Sequence, residues 1–412
     1  MDETDETLAK HGMSEVHLDE PPQEPPPKPR LDAIDVGEDD KPIPPRQWLL
    51  GNVFCRQFVS GLIGAGASGK TSLRIGQGLE LASRKPITGE QIFVRCRVLI
   101  VCLEDGMDEL RRRVRAAMKH RKIKREDVKG YLFLSTPKRM KLAQYGQKGV
   151  VVAGELDTAI RSFIDEKKID LVILDPIRRT HSVRENESDD MDAVIAIMSE
   201  LAIEKNIGVD VLSHERKGGS KEAGDAERGR GSGSMKDGSR LIYTLTGMTK
   251  QEAKALGVKD ERQRKLLFRV DNAKVNLAPP DASTKWFRLV GVNLENGDDT
   301  YPNGDEVQTV ERWTPPALFG AFSTEQVNQI LERLRAGMGD GRRYSVAPSA
   351  KERAAWRVIQ EISTGHDEAQ CRAMIKQWKE NGLLISGEYY DGKERKKIHG
   401  ILASKTIGEV AL

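Results

Sequence analysis

Aromatic residues and cysteines are scarce in this chain of 412 residues. Aromatic side chains make up 5% of the composition. No apolar run approaches the ~20 residues that span a bilayer, and no signal-peptide pattern opens the chain. The scattered cysteines lack the spacing of metal ligands and are expected to be buried, reduced thiols; they are Cys55, Cys96, Cys102 and Cys371. The sequence therefore predicts a cytoplasmic protein without a membrane span, a zinc site or a disulfide.

Residues 1–47 contain few large apolar side chains. This segment carries 13 acidic and 5 basic residues and 9 of the chain's 18 prolines. Such a composition cannot bury enough apolar surface to offset the entropy lost on ordering. We expect a disordered acidic tail, followed by a folded region from Trp48.

A glycine-rich stretch after a short apolar run matches the P-loop template GxxxxGK[ST] completely. A strand is predicted before it and a helix over 71–82 after it, which is the context that the motif requires. Backbone N–H groups of such a loop and the following helix N-terminus bind phosphate, whereas the alternative is a flexible turn with a chance lysine. Lys70 is expected to reach the β- and γ-phosphates of ATP, and the Thr71 hydroxyl to ligate Mg²⁺. The predicted nucleotide-binding residues are Gly64, Ala65, Gly66, Ala67, Ser68, Gly69, Lys70, Thr71 and Ser72.

Residues 48–295 alternate between predicted strands and helices. Apolar runs at 97–103, 170–174 and 207–213 are typical of buried parallel strands, and amphipathic helices are predicted at 107–120, 156–167 and 191–204. This alternation indicates an α/β fold with a mostly parallel sheet covered on both faces. Further strands at 241–246, 266–271 and 286–291 are expected to extend the sheet.

Acidic residues follow two of the buried strands. Asp175 ends one of them, where a carboxylate can hold Mg²⁺ through water. Glu104 and Asp105 follow another, at the rim where such sheets bind ligands. Either could orient or deprotonate the attacking water, and the alternative is that this acidic pair caps the next helix.

His214 ends a third strand at the same rim and could sense the γ-phosphate, although a lone histidine is often structural. Long polar loops follow Asp175 and His214, and their basic residues could follow a DNA backbone or simply be solvated. The candidate DNA-binding residues in these loops are Arg178, Arg179, Lys217 and Arg230.

The C-terminal part is predicted to contain a connecting segment with one helix, at 296–341, and a winged-helix-like α+β domain, at 342–412. Two helices there precede two strands joined by a turn. Basic residues on this predicted wing could contact duplex DNA, mainly through charge, or the domain could bind a protein; they are Lys393, Arg395, Lys396 and Lys397.

The order of motifs resembles that of one ATPase family. Over 48–295 the chain contains the P-loop, LED, LDxxRR, ENxSxxM, HxxKG, RGSxxxxDxxR and KxN. This order is similar to that of RepA-type hexameric replicative helicases of plasmids, which belong to the RecA/DnaB class of ring ATPases. The resemblance implies a RecA-like core that uses ATP and Mg²⁺.

The same resemblance implies a role for each motif. Glu104 would be the catalytic base, Asp175 the Walker B carboxylate and His214 the γ-phosphate sensor. Arg240 is similar to the arginine finger that reaches a neighbouring subunit's nucleotide, and Lys274 to a second cation that acts in trans. These roles imply a homohexamer with single-stranded DNA in its pore.

We therefore expect a DNA helicase or translocase that replicates a mobile element together with other replication proteins. The main alternative is a non-translocating ATP switch that acts as a loader or a recombination mediator. A metabolic P-loop kinase is disfavoured, because no lid segment rich in substrate-binding arginines is visible.

Overall fold

The computed structural model describes residues 31, 33–215, 224–225, 235, 237–278, 284–314, 322, 324–347, 349–362, 366–380 and 383–404. The first 45 residues form one unit and residues 46–412 a second. Within the first unit, the described residues of 31–45 are all exposed and contain no helix or strand. Most of the predicted acidic tail lies outside the described residues.

The second unit begins with alternating strands and helices. Its first elements are β1 (Trp48–Leu50), β2 (Phe54–Cys55), β3 (Val59–Gly64), α1 (Lys70–Ser83), β4 (Val98–Cys102), α2 (Met107–His120), α3 (Arg125–Val128), β5 (Leu132–Ser135), β6 (Ala143–Tyr145), β7 (Val151–Ala153), α4 (Glu155–Lys167), β8 (Leu171–Asp175), α5 (Ile177–Thr180), α6 (Ser188–Glu204) and β9 (Gly208–His214).

The elements that follow are richer in antiparallel strands. They are β10 (Leu241–Gly247), α7 (Lys250–Ala255), α8 (Glu261–Leu266), β11 (Leu267–Val275), β12 (Lys285–Asn293), β13 (Glu306–Arg312), α9 (Thr324–Ala336), α10 (Trp356–Ile362), α11 (Glu368–Glu380), β14 (Leu384–Asp391) and β15 (Lys396–Ser404).

One large sheet organises the second unit. Within the described residues it contains nine strands in the order β13-β12-β11-β10-β3-β9-β8-β4-β5. The strands from β10 to β5 are parallel. Every residue of β4 and β8 is buried, as expected for parallel strands covered on both faces. The predicted α/β fold with a mostly parallel sheet is confirmed.

The two faces of the sheet pack into separate hydrophobic cores. Val98 and Ile100 of β4 point to the core formed with α1 and α2. Leu99 and Val101 of the same strand point to the core formed with α4 and α6. This alternation follows from the two-residue period of a strand, and it fixes the helices on opposite faces.

The last three strands of the sheet are antiparallel, a feature that the sequence did not predict. β11, β12 and β13 each pair antiparallel with the preceding strand. The sheet therefore continues to Arg312, beyond the predicted domain boundary at residue 295. β13 contacts both α1 and α2, so this end of the sheet packs against both helices.

The C-terminal elements have a hydrophobic core of their own. Residues of α9, α10 and α11 surround Trp378 and contact Leu384 and Ile401 of the β14–β15 hairpin. One helix, then two helices, then two hairpin strands follow in the order predicted from the sequence, while the winged-helix assignment stays a prediction. Among the described residues, no helix is both long and apolar enough to cross a membrane.

A buried ion pair joins α1 to β9. Nε and Nη2 of Arg74 donate to the two carboxylate oxygens of Asp210, each at 2.8 Å. The Arg74 Nη1 donates to Gln77, and the Ser60 hydroxyl donates to Asp210. The two charged side chains are 2% and 0% exposed. The pair fixes the P-loop helix against the strand that ends in His214.

Replacing Arg74 with Met should lower the free energy of unfolding by about 3–5 kcal/mol, because it leaves the Asp210 carboxylate buried without its partner. Arg111 forms a half-exposed ion pair with Asp108, so Arg111→Met should cost no more than about 1 kcal/mol. Urea denaturation of both variants measures the difference. Equal losses for the two variants would contradict the role of the buried pair.

Candidate nucleotide-binding site

The P-loop joins β3 to α1 at the carboxyl edge of the sheet. Gly69 precedes α1 with φ 99°, and a Cβ at this position would lie 2.8 Å from Cδ2 of Leu289. Only glycine meets both conditions without strain. The Ser68 hydroxyl donates to the carbonyl of Ala65 at 2.7 Å, which closes the turn.

Lys70 is held inside this loop. Its Nζ donates to the carbonyl oxygens of Gly64 and Ala65 at 2.9 and 2.7 Å. Burial lowers the pKa of Lys70 to about 8, although nearby carboxylates, first among them Asp175, act in the opposite direction. The ammonium therefore rests on backbone carbonyls at the place where the motif predicts phosphate contacts.

Thr71 and Asp175 lie together at the adjoining strand ends. The Thr71 hydroxyl donates to Oδ2 of Asp175 at 2.6 Å. Burial raises the pKa of Asp175 to about 6, while the Thr71 hydrogen bond and Lys70 lower it. A hydroxyl and a carboxylate are oxygen donors of the kind that Mg²⁺ prefers, so these two residues fit the predicted magnesium site.

The two acidic residues after β4 have different partners. Oε1 of Glu104 lies 4.0 Å from Nε2 of His214, and both side chains line the same cavity as Lys70. Oδ2 of Asp105 lies 3.0 Å from Nη2 of Arg113 in α2. Glu104 therefore faces His214 across the site, whereas Asp105 is engaged by an arginine of the following helix.

A cavity of about 560 Å³ contains these groups. It is lined by residues 67–72 of the P-loop, by Glu104, Asp175 and His214, and by the start of α2. Residues 305–308, at the start of β13, form another wall. This wall has no recognisable motif in the sequence, and its residues lie far along the chain from the P-loop.

Arg240 and Lys274 do not approach their own P-loop. The backbone N–H of Arg240 donates to the carbonyl of Val59, at the amino end of β3. Ile242 pairs with Lys274 on β11, so this lysine lies at the same edge of the sheet. The length of β3 from Val59 to Gly64 is about 16 Å at the usual rise per strand residue. The backbones of both residues therefore lie about one strand length from the P-loop of the same chain.

The candidate DNA-binding residues lie in three places. Arg178 and Arg179 belong to α5, just after Asp175, and Arg178 forms an ion pair with Glu185 at 3.1 Å. Lys217 and Arg230 lie outside the described residues. The hairpin residues are all exposed on or beside the turn between β14 and β15; they are Lys393, Arg395, Lys396 and Lys397.

The affinity for Mg²⁺–ATP should fall as the pH drops from about 7 to about 5, because Asp175 with its raised pKa becomes protonated and loses its attraction for the cation. Isothermal titration calorimetry over this range measures the change. In Asp175→Asn the binding should be weak and should keep only the pH dependence of the phosphates themselves. An identical profile in the two proteins would contradict the prediction.

Comparison with known proteins places a domain over this site. Residues 24–220 match a family model described as an AAA domain, and this segment includes the P-loop, Glu104, Asp175 and His214. The chain is also similar to the crystal structure of the RadB recombinase. The match covers 57% of this chain and 88% of the RadB chain, with 18% sequence identity and a TM-score of 0.36.

Proposed function

We propose that this protein is a RecA-like, ring-forming ATPase that unwinds DNA as a RepA-type helicase during replication of a mobile element. The observation that carries the proposal is the meeting of Lys70, Thr71, Glu104, Asp175 and His214 in one cavity. The AAA-domain match over residues 24–220 supports the nucleotide-hydrolysing part of the proposal. The motif order described above supports its helicase part.

Hydrolysis begins when a phosphate replaces the carbonyl oxygens that now accept from Lys70. The Thr71 hydroxyl and, through water, Asp175 would hold Mg²⁺, which would supply charge neutralisation on the phosphates. Glu104 then takes a proton from the attacking water, whose oxygen bonds to the γ-phosphorus while the bond to the bridging oxygen breaks. Glu104 is better placed for this role than Asp105, because Asp105 is paired with Arg113.

His214 links this chemistry to the chain that follows β9. Its Nε2 lies 4.0 Å from Oε1 of Glu104, and we propose that it detects whether the γ-phosphate is present. The sequence after β9 contains Lys217 and Arg230, which we propose grip DNA in the pore together with Arg178 and Arg179. Electrostatic contacts of this kind are independent of base sequence.

Arg240 and Lys274 act on the nucleotide of a neighbouring subunit in this proposal. Both lie at the sheet edge opposite the P-loop of their own chain. Head-to-tail packing, repeated around a ring, brings this edge of one subunit to the P-loop edge of the next. An arginine supplied in this way stabilises the charge that develops on the transferred phosphoryl group.

The C-terminal hairpin favours a second candidate function. Its exposed lysines and arginine lie on the C-terminal elements, which have their own hydrophobic core. This arrangement fits docking on duplex DNA or on a replication protein. A protein that used this unit only for docking would be an ATP switch, either a loader or a recombination mediator.

Exchanging Glu104 for Gln should lower the turnover of ATP by about 10²-fold or more, because it removes the general base. The affinity for ATP should remain close to that of the wild type. Asp105→Asn is the matched control, because this neighbouring carboxylate is held by Arg113. Steady-state ATPase assays with nucleotide-binding measurements compare the two variants, and a larger loss in Asp105→Asn would reverse the assignment.

Lys70→Ala and Arg240→Ala should each abolish ATP turnover, but a mixture of the two proteins should regain part of it. In a mixed interface, the first variant supplies an intact Arg240 and the second an intact P-loop. The exposed Arg262 provides the control variant Arg262→Ala, which should retain full activity. A mixture as inactive as its components would contradict the action of Arg240 in trans.

The same proteins test the helicase on forked DNA. The wild type should separate the strands only with ATP, whereas Lys70→Ala should bind the fork without unwinding it. A wild type that hydrolyses ATP and binds the fork, yet displaces no strand, would favour the switch.

A further inference from the structure

The direction in which a triphosphate lies along the P-loop follows from the groups around it. Lys70, Glu104 and His214 line the same cavity, and the proposed function assigns the γ-phosphate to them. Backbone N–H groups at the start of α1 hold the phosphates nearer to the sugar. The nucleoside would therefore leave the loop on the side of Ser72.

The start of β13 lies on that side. The Ser72 hydroxyl donates to the carbonyl of Gln308 at 3.4 Å. Further along, Cγ2 of Val310 lies 3.6 Å from the position that a Cβ on Gly76 would take. Since alternate strand residues share a face, Glu306 and Gln308 lie on the same side of β13 as Val310, which is the side of α1.

Several contacts fix this part of β13 in place. Nε of Arg112 in α2 donates to the Asp305 carboxylate at 2.9 Å, and the Asn296 amide donates to it at 2.7 Å. Near the other end of the strand, Nε2 of His120 in α2 lies 2.9 Å from Oε2 of Glu311. The wall is therefore positioned before any nucleotide binds, which reduces the entropy lost on binding.

Glu306 and Gln308 themselves are exposed at the cavity. Neither side chain belongs to the hydrophobic core that Val310 joins. A carboxylate accepts hydrogen bonds from vicinal hydroxyls, and a primary amide both donates and accepts. These are the groups that recognise a ribose and the polar edge of a base.

We propose that the start of β13 is the nucleoside subsite, in which Glu306 binds the ribose hydroxyls and Gln308 binds the base or the sugar. This inference rests on the proposed function, because it assumes that a nucleoside triphosphate occupies the P-loop. It extends that function by assigning specificity for a ribonucleotide to the start of β13, more than 200 residues after the P-loop.

Calorimetry with three ligands tests the subsite in the full-length protein. The ligands are ATP, 2′-deoxyATP and inorganic tripolyphosphate, each with Mg²⁺. They are titrated into the wild type, Glu306→Ala, Gln308→Ala and a control variant, Asp299→Ala. Asp299 lies in the connection between β12 and β13. Gln308→Ala should weaken ATP about tenfold, the value of one lost hydrogen bond. Glu306→Ala should weaken ATP similarly and abolish the preference for ATP over 2′-deoxyATP. Tripolyphosphate should bind all four proteins equally.

Three results would overturn the proposal in different ways. Unchanged ATP affinity in both Glu306→Ala and Gln308→Ala would exclude these side chains from the site. An equal loss of ATP and tripolyphosphate affinity in these two variants would show that the start of β13 acts only on the P-loop. A wild type that binds ATP no more tightly than tripolyphosphate would exclude any nucleoside subsite. A wild type that binds neither ligand would refute the proposed function itself.

Discussion

Parallel pairing of four neighbouring strands is the constraint on which the site depends. β3, β9, β8 and β4 all run in the same direction, so their carboxyl ends meet at one edge of the sheet. Gly64 pairs with His214, and Cys102 pairs with Asp175. Because the backbone register is set by ladder hydrogen bonds, groups from four distant parts of the chain are placed within one cavity before any ligand binds.

Two opposite charges are buried in this cavity, and the protein stabilises each with its own groups. Lys70 rests on two loop carbonyls, and Asp175 accepts from Thr71. Burial lowers the pKa of the lysine and raises that of the aspartate, so both are closer to neutrality than they would be in water. An anionic phosphate and a cation would be better partners for these groups, so the proposed function predicts that the two ligands bind together.

The antiparallel end of the sheet brings side chains to both edges of the parallel strands. It packs β13 against α1 and α2, beside the P-loop at the carboxyl edge. It also places Lys274 next to β10, near Arg240 at the amino edge. Under the proposed function, a nucleotide site at one edge and cations at the other suit a head-to-tail ring, in which each site is completed by the next subunit.

The sequence alone determined the local features, because they depend on residues close together in the chain. The P-loop with its strand and helix, the strands that end in Asp175 and His214, and the C-terminal hairpin all followed from periodicity and turn residues. Only the tertiary structure decided that Arg113 engages Asp105 while Glu104 faces His214, that the last strands run antiparallel, and that β13 forms a wall of the cavity. Each of these results depends on contacts between distant segments, whose energies come from packing and charge in three dimensions and leave no periodic signal in the sequence.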